Sequence, residues 1–317
     1  MTLQSSPSPI KFSDIIQEFG VTETSGSSKL GSYRVKETYG ALTNIPLDTN
    51  IPQSGQIKFS DFYGKQLNVV VDFYSGSSVV RKNAKSRYES DNVNVVGGFK
   101  EKPSVTSGTK VIIHVNKIIG SSKSGDNHVA LKTGNWDSNT NLDLQNYGSI
   151  LGAGGDGGNG GGRSTTKTDG TRATSGLGVS YPLEIYNYGT IAGGGGGGNG
   201  ASGNSSSSRR RFRCGWWCEG RRRSRRRSQG GGGGGGAGFP VGSGGSGYNA
   251  GSDGDTTGGG SGGSGQGRGA GGGGDGGNLG VAAGGSAGRA IIISGSGSVS
   301  KPVPGTILGG EINGTFT

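Results

Sequence analysis

The sequence predicts a mostly β and irregular fold: a small N-terminal docking module, a β-rich connector, and a polyglycine II helix bundle with surface loops. Three observations carry this. Of 317 residues, 74 are glycine, and they are unevenly placed: 12 fall in residues 1–130 and 62 in residues 131–317. Leu, Ile, Val and Phe together make up less than a fifth of the chain, too little for one large oily core. The β-branched runs that do exist are concentrated between residues 66 and 150. An ordinary single-core enzyme fold over the whole length is therefore excluded. The expected division is 1–70, 71–150, 151–295 and a closing segment, 296–317.

The N-terminal part holds a duplicated motif, Ile10-Lys-Phe-Ser-Asp14 and Ile57-Lys-Phe-Ser-Asp61. Ser13 and Ser60 are expected as N-caps of short helical turns, each followed by an acid that suits a helix N-terminus. Phe12 and Ile15, and Phe59, Phe62 and Tyr63, then supply apolar faces. Two short turns bury little alone, so the reading is either a local cap or, as favoured here, a module that docks on a larger partner.

Residues 66–150 read as strands: Leu67–Tyr74, Val93–Val96, Lys110–Ile119, Val129–Leu131 and Leu142–Leu144. Short strands in this number suit a compact sandwich or the start of a strand solenoid. A second repeat, offset by 41 positions, matches Leu144-Gln-Asn-Tyr-Gly-Ser-Ile-Leu-Gly to Ile185-Tyr-Asn-Tyr-Gly-Thr-Ile-Ala-Gly. Each copy runs into a glycine tract, which argues for stacked equivalent units.

The low-complexity body, 193–290, cannot form an aliphatic core. It is either a flexible linker or a bundle of glycine helices with three residues per turn, whose bare backbones approach closely enough to hydrogen-bond to one another. The cost is the entropy of ordering glycine. Gly193–Gly198, Gly230–Gly236 and Gly271–Gly274 are expected in the buried layer. Gly263–Gly271, where glycine alternates with larger residues, is expected at an edge or in a loop.

The formal net charge of +11 is concentrated in one insert between two glycine tracts. Its arginines are Arg209, Arg210, Arg211, Arg213, Arg221, Arg222, Arg223, Arg225, Arg226 and Arg227, around a Cys214-Gly-Trp216-Trp217-Cys218 tip. Guanidinium groups recognise phosphate and carboxylate bidentately, and exposed Trp beside Arg is a hot-spot composition. The insert is read as an anion-plus-aromatic binding tip, against the alternative of a solvated charged loop. Nucleic acid is disfavoured, since aromatics are not interleaved along the basic arms. Further loops are expected at Arg163–Tyr181 and at Phe239–Thr257, which carries Tyr248. The four-residue spacing of Cys214 and Cys218 permits a disulfide and equally leaves two free thiols.

No metal or cofactor is expected. His114 and His128 are distant in sequence from the cysteines. His114 reads as a strand residue and His128 as an exposed turn residue. Asp156, Asp253, Asp255 and Asp275 are better placed as polar edge residues of the glycine bundle than as calcium ligands. No apolar run is long enough to span a membrane, and the first residues carry no secretory pattern, so synthesis in a cytoplasm is expected.

The Asn-Tyr-Gly-[Ser/Thr]-Ile steps leading into Gly152–Gly162 and Gly193–Gly200 resemble the glycine-rich region of phage tail proteins. The likeness is greatest to the detachable adhesins at the tips of long tail fibres in T-even-like phages, and covers roughly residues 140–295. The duplicated Ile-Lys-Phe-Ser-Asp element looks like an N-terminal module of virion proteins in marine phages. The resemblance implies a non-enzymatic virion component. Its N-terminal residues Phe12, Ile15, Phe59, Phe62 and Tyr63 would attach to other tail or fibre proteins. Its loops would touch a bacterial surface receptor, either lipopolysaccharide or an outer-membrane protein. The Arg/Cys/Trp insert is longer and more basic than such loops usually are. The alternative is a structural or decorative virion protein of head, neck or baseplate.

Overall fold

A computed structural model describes residues 3, 5, 8–20, 29–33, 51–52, 54–73, 79–90, 104–105, 108–122, 128–162, 165–203, 228–266 and 270–314. The fold is mostly β, with two short α-helices among the described residues. The expected strand Val93–Val96 lies outside them.

The strands form five successive rungs of three. The first is β1 (Val69–Asp72), β2 (Val79–Val80) and β3 (Lys82–Asn83); the second is β4 (Lys110–Val115), β5 (Ile118–Gly120) and β6 (Val129–Lys132). The third comprises β7 (Asn141–Asn146), β8 (Ser149–Leu151) and β9 (Ser175–Val179), and the fourth β10 (Leu183–Asn187), β11 (Thr190–Ala192) and β12 (Ile291–Ile293). The last holds β13 (Val299–Val303), β14 (Thr306–Leu308) and β15 (Glu311–Asn313). Each position in the rung builds its own five-stranded sheet, β1-β4-β7-β10-β13, β2-β5-β8-β11-β14 and β3-β6-β9-β12-β15. Every pairing within them is parallel.

This is a strand solenoid and not a sandwich. The run Lys110–Ile119 is not one strand but two, because the chain turns a corner at Asn116-Lys117. The 41-residue repeat is the advance of one rung: Leu144 pairs with Ile185 and Ile150 with Ile191. Side chains alternate across a strand, so one face of each sheet fills the interior. Val111, Ile113, Leu144, Ile185, Ile119, Ile150, Ile191, Leu131, Leu177 and Ile291 join in a single buried cluster. The segment expected to close the chain supplies the fifth rung, so residues 299–313 share their sheets with residues 69–83.

Helix α2 (Ala84–Ser90) follows the first rung, and its Ala84 and Tyr88 join the core cluster. Before the prism, Ile15, Phe19, Tyr33, Ile51, Phe62 and Leu67 form a separate cluster. The two Ile-Lys-Phe-Ser-Asp copies meet in it: Phe12 packs edge-on against Phe59, and Phe19 against Phe62. The first copy begins helix α1 (Phe12–Phe19) and the second a single 3-10 turn, Phe59–Phe62. Their caps are not the expected serines. Lys11 and Lys58 occupy the N-cap positions, and Asp14 and Asp61 accept the Lys11 and Lys58 N–H groups at 2.8 and 2.7 Å. The acid three residues into the turn reaches back over it, leaving the serine hydroxyl without that role.

Candidate functional site

The glycine-rich residues leave the prism at two equivalent corners, after β8 and after β11, and return into β9 and β12. Their backbone hydrogen bonds recur every third residue. Gly152, Gly155, Gly158 and Gly161 donate to Ala192, Gly195, Gly198 and Ala201. Gly154, Gly157 and Gly160 donate to Pro240, Ser243 and Ser246 on another side. Carbonyls of Ala153, Asp156 and Asn159 accept from Thr174, Thr171 and Thr168 on a third. A three-residue period points successive groups at three neighbours in turn.

The segment 228–238 lies at the centre. Every N–H from Gly230 to Gly238 donates, and every carbonyl from Gly230 to Ala237 accepts. The partners belong to six surrounding segments: 152–162, 193–203, 240–248, 249–255, 258–266 and 270–278. Residues 230–237 are all buried, and their backbone polar groups are satisfied entirely by other backbone. Bare glycine is required by this proximity. A methyl on Gly233 would fall on the carbonyl of Gly198, and one on Gly236 on that of Gly195.

Gly193–Gly198 and Gly230–Gly236 are buried as expected. Gly271–Gly274 is not: it runs along the outside, where its neighbours lie on one side only, and Gly272 has nothing closer than 3.5 Å to an added methyl. The aspartates line the rim. Asp156, Asp253 and Asp275 accept the N–H groups of Ser243, Gly244 and Gly262 at 2.7, 2.8 and 2.8 Å. Asp255 accepts from Thr257 and Gly258, and those bonds hold its carboxyl below the usual carboxylate range. No group of ligands for a metal ion occurs among the described residues.

The connections between segments sort to two ends. Near the prism, Leu151, Ala192, Ala237 and Leu279 pack together with Phe239 and Ile118. At the far end, Gly162 turns back through Thr165, Gln229 bridges to Gln266, and Tyr248 donates its N–H to Gly230.

The residues expected to bind map onto this end unequally. Tyr248 is there and 45% exposed. Gly203 and Ser228, the two stems of the basic insert, emerge there side by side, since a methyl on Gly203 would touch the Ser228 carbonyl. Arg209, Arg210, Arg211, Arg213, Cys214, Trp216, Trp217, Cys218, Arg221, Arg222, Arg223, Arg225, Arg226 and Arg227 lie outside the described residues. The expected loop Arg163–Tyr181 is mostly not a loop. Residues 165–174 run back along the adjoining tract, with Thr168, Thr171 and Thr174 donating to its carbonyls while 165–169 and 171–172 stay exposed, and 175–179 are β9. Phe239–Thr257 is likewise two packed segments with Tyr248 between them.

In the N-terminal cluster, Ile15 and Phe62 are fully buried. Phe12 and Tyr63 are half-buried, and Phe59 is 44% exposed. Any contact through this element therefore falls to Phe59 first.

Several polar groups on the prism, among them the expected strand residue His114, have partners that the sequence did not reveal. His114 is buried in β4, with Nδ1 2.9 Å from Asp72 Oδ1 one strand away. His128 is half-buried, not idle, with Nδ1 2.6 Å from Ser122 Oγ. Burial, then Arg81 and Lys132, lower its pKa. Asp143 sits 2.6 Å from the Lys110 ammonium, yet burial outweighs that pairing and raises its pKa.

The family model for the phage tail fibre adhesin Gp38 matches residues 82–315. No curated protein matches the chain. Among solved structures, the gp37–gp38 adhesin tip complex of the bacteriophage S16 long tail fibre aligns over 85% of this chain and 90% of that one, at 22% identity and a TM-score of 0.45.

Proposed function

The chain belongs to the phage tail fibre adhesin Gp38 family, and from that premise we propose that it binds a bacterial surface receptor through the far end of its glycine-rich region. A tail-fibre adhesin is a virion component with a binding role. The observation that carries the finer reading is the convergence of connections on one end, where the stems of the arginine insert meet Tyr248. We read the glycine segments as a bundle of polyglycine helices. The three-residue period and the six neighbours of 228–238 support this. Such a scaffold holds its connections stiffly and lowers the ordering cost of contact.

On this reading Arg209–Arg213 and Arg221–Arg227 engage phosphate or carboxylate groups, and Trp216 and Trp217 supply apolar contact. Lipopolysaccharide phosphates or an acidic outer-membrane-protein loop fit that chemistry. The other end of the chain, with Phe59 exposed, attaches to a neighbouring tail or fibre protein, and no catalysis is proposed. Replacing Arg221–Arg223 and Arg225–Arg227 with Ser tests the tip. Adsorption to host cells at physiological salt should be lost, and unchanged adsorption overturns the assignment.

A further inference from the structure

A second surface lies on the prism itself. The corner after the first strand of each rung reads Asn146-Tyr147-Gly148 in the third rung and Asn187-Tyr188-Gly189 in the fourth. The two tyrosines stack, with ring centroids 4.7 Å apart and planes at 12°. His114, one rung earlier, meets Tyr147 edge-on at 5.8 Å. The fifth rung does not continue this column. Tyr186 pairs with Val303 and Thr190 with Thr306, so three residues of the fourth rung are spanned by Pro304-Gly305 alone. Gly305, at φ 52°, sits against the Asn187 backbone. No aromatic stands in the fifth rung, residues 299–313, and Tyr188 is 56% exposed.

Beside this ring the outer face of the first sheet changes character. In rungs one to three most of it is buried: Val70, Asp72, Ile112, His114 and Asp143 are at most 7% exposed, while Gln145, in register with Tyr186, is half-buried. From the fourth rung on it is open. There Tyr186 donates its hydroxyl to Glu184 Oε2 at 3.1 Å, Glu184 is exposed, and Ser300 follows in register. Burial and the neighbouring carboxylates raise the Tyr186 pKa, which keeps its phenol a donor.

We propose that Tyr188, with Tyr186 and Glu184, forms a binding platform for a neutral pyranose unit of a bacterial polysaccharide. A pyranose presents one face of polarised C–H groups, which packs on the electron-rich face of an aromatic ring. Its rim of hydroxyls donates to the Glu184 carboxylate and to the Tyr186 phenol oxygen, whose own proton goes to Glu184. The charges choose among sugars. Glu184 is exposed, and its carboxylate disfavours anionic sugars there, while its register partner Asp143 is already paired with the Lys110 ammonium. The platform is thus complementary to a different ligand from the one the arginine tip suits, and it does not depend on the tip reading.

The test uses the full chain on an array of neutral bacterial O-polysaccharides, with heparin as the anionic control. At least one neutral polysaccharide should be retained. Tyr188→Ala should weaken that binding about tenfold or more, Tyr188→Phe should preserve it, and Glu184→Gln should weaken it. The Arg221–Arg227 serine variant should bind the neutral glycan as the parent does. Thermal melting of each variant separates lost binding from lost folding, and Tyr188→Phe keeps the stack if the alanine variant unfolds. The proposal is overturned if no neutral glycan is retained, if a folded Tyr188→Ala binds as well as the parent, or if retention follows the tip arginines instead of Tyr188.

Discussion

Asn146 donates its side-chain amide to the side-chain carbonyl of Asn187 at 2.7 Å, one rung above it in the prism. Asn187 passes the pattern on, donating to the carbonyls of Pro304 and Thr306 in the fifth rung. Both amides are fully buried. The 41-residue sequence repeat is, at this point, a physical ladder that ties the third, fourth and fifth rungs together at one corner.

Asn187→Ala should therefore unlock two rungs at once. It removes the buried donor for two carbonyls and the acceptor for Asn146. At ~1–3 kcal/mol per unsatisfied buried group, the midpoint of thermal unfolding should fall by several degrees. An unchanged midpoint would mean the ladder contributes nothing.

Gly233→Ala and Gly272→Ala form a matched pair. The first places a methyl on the Gly198 carbonyl in the central segment, and the second meets nothing closer than 3.5 Å. Overpacking costs ~1–3 kcal/mol, while the exposed change should fall within ~0.5 kcal/mol. Limited proteolysis of 140–317 should accelerate for Gly233→Ala alone. Equal behaviour of the two would return this region to a flexible linker.

Lys301 and Glu311 occupy inward positions of the last rung, above Ile185 and Ile291, and pair with each other across the open end of the core. Inward charge is a known defence against edge-to-edge pairing. The double change Lys301→Leu, Glu311→Leu should leave stability nearly unaltered, since both groups are partly exposed. It should promote self-association, read as a rise in mass by light scattering. A variant that stays at the parental mass would deny the pair this role.

Asp143 predicts a pH dependence. Burial raises its folded pKa above the unfolded value. The folded state then binds the proton more tightly, so the stability this group contributes is fully present below the unfolded pKa and is lost as pH rises through the folded one. Against Asp143→Asn, the parent should gain relative stability as pH falls from neutral into the acid range. Parallel melting curves at all pH values would refute this.

Much of the fold was legible in the sequence because its signals are local. The Asn-Tyr-Gly repeat marks a rung, and tracts such as Gly193–Gly198 and Gly230–Gly236 mark backbone with nothing to hold it off its neighbours. The candidate tip was legible as composition, ten arginines around two tryptophans. The cap positions at Lys11 and Lys58 were misjudged, because Ser-Asp offers two acceptors and only turn geometry chooses between them.

The sequence by itself determined that residues 193–290 cannot build an aliphatic core, and that units 41 residues apart are equivalent. Only the tertiary structure decided that residues 299–313 complete the same three sheets as residues 69–83, that Gly271–Gly274 lies at an edge, and that Tyr188 ends an aromatic column. Parallel strands need long crossovers, and here the paired residues Leu183 and Val299 stand 116 positions apart, so no local periodicity encodes such a partner. A tract of bare glycine also looks the same whether it has six neighbours or three, since what differs is the surrounding chain and not its own side chains.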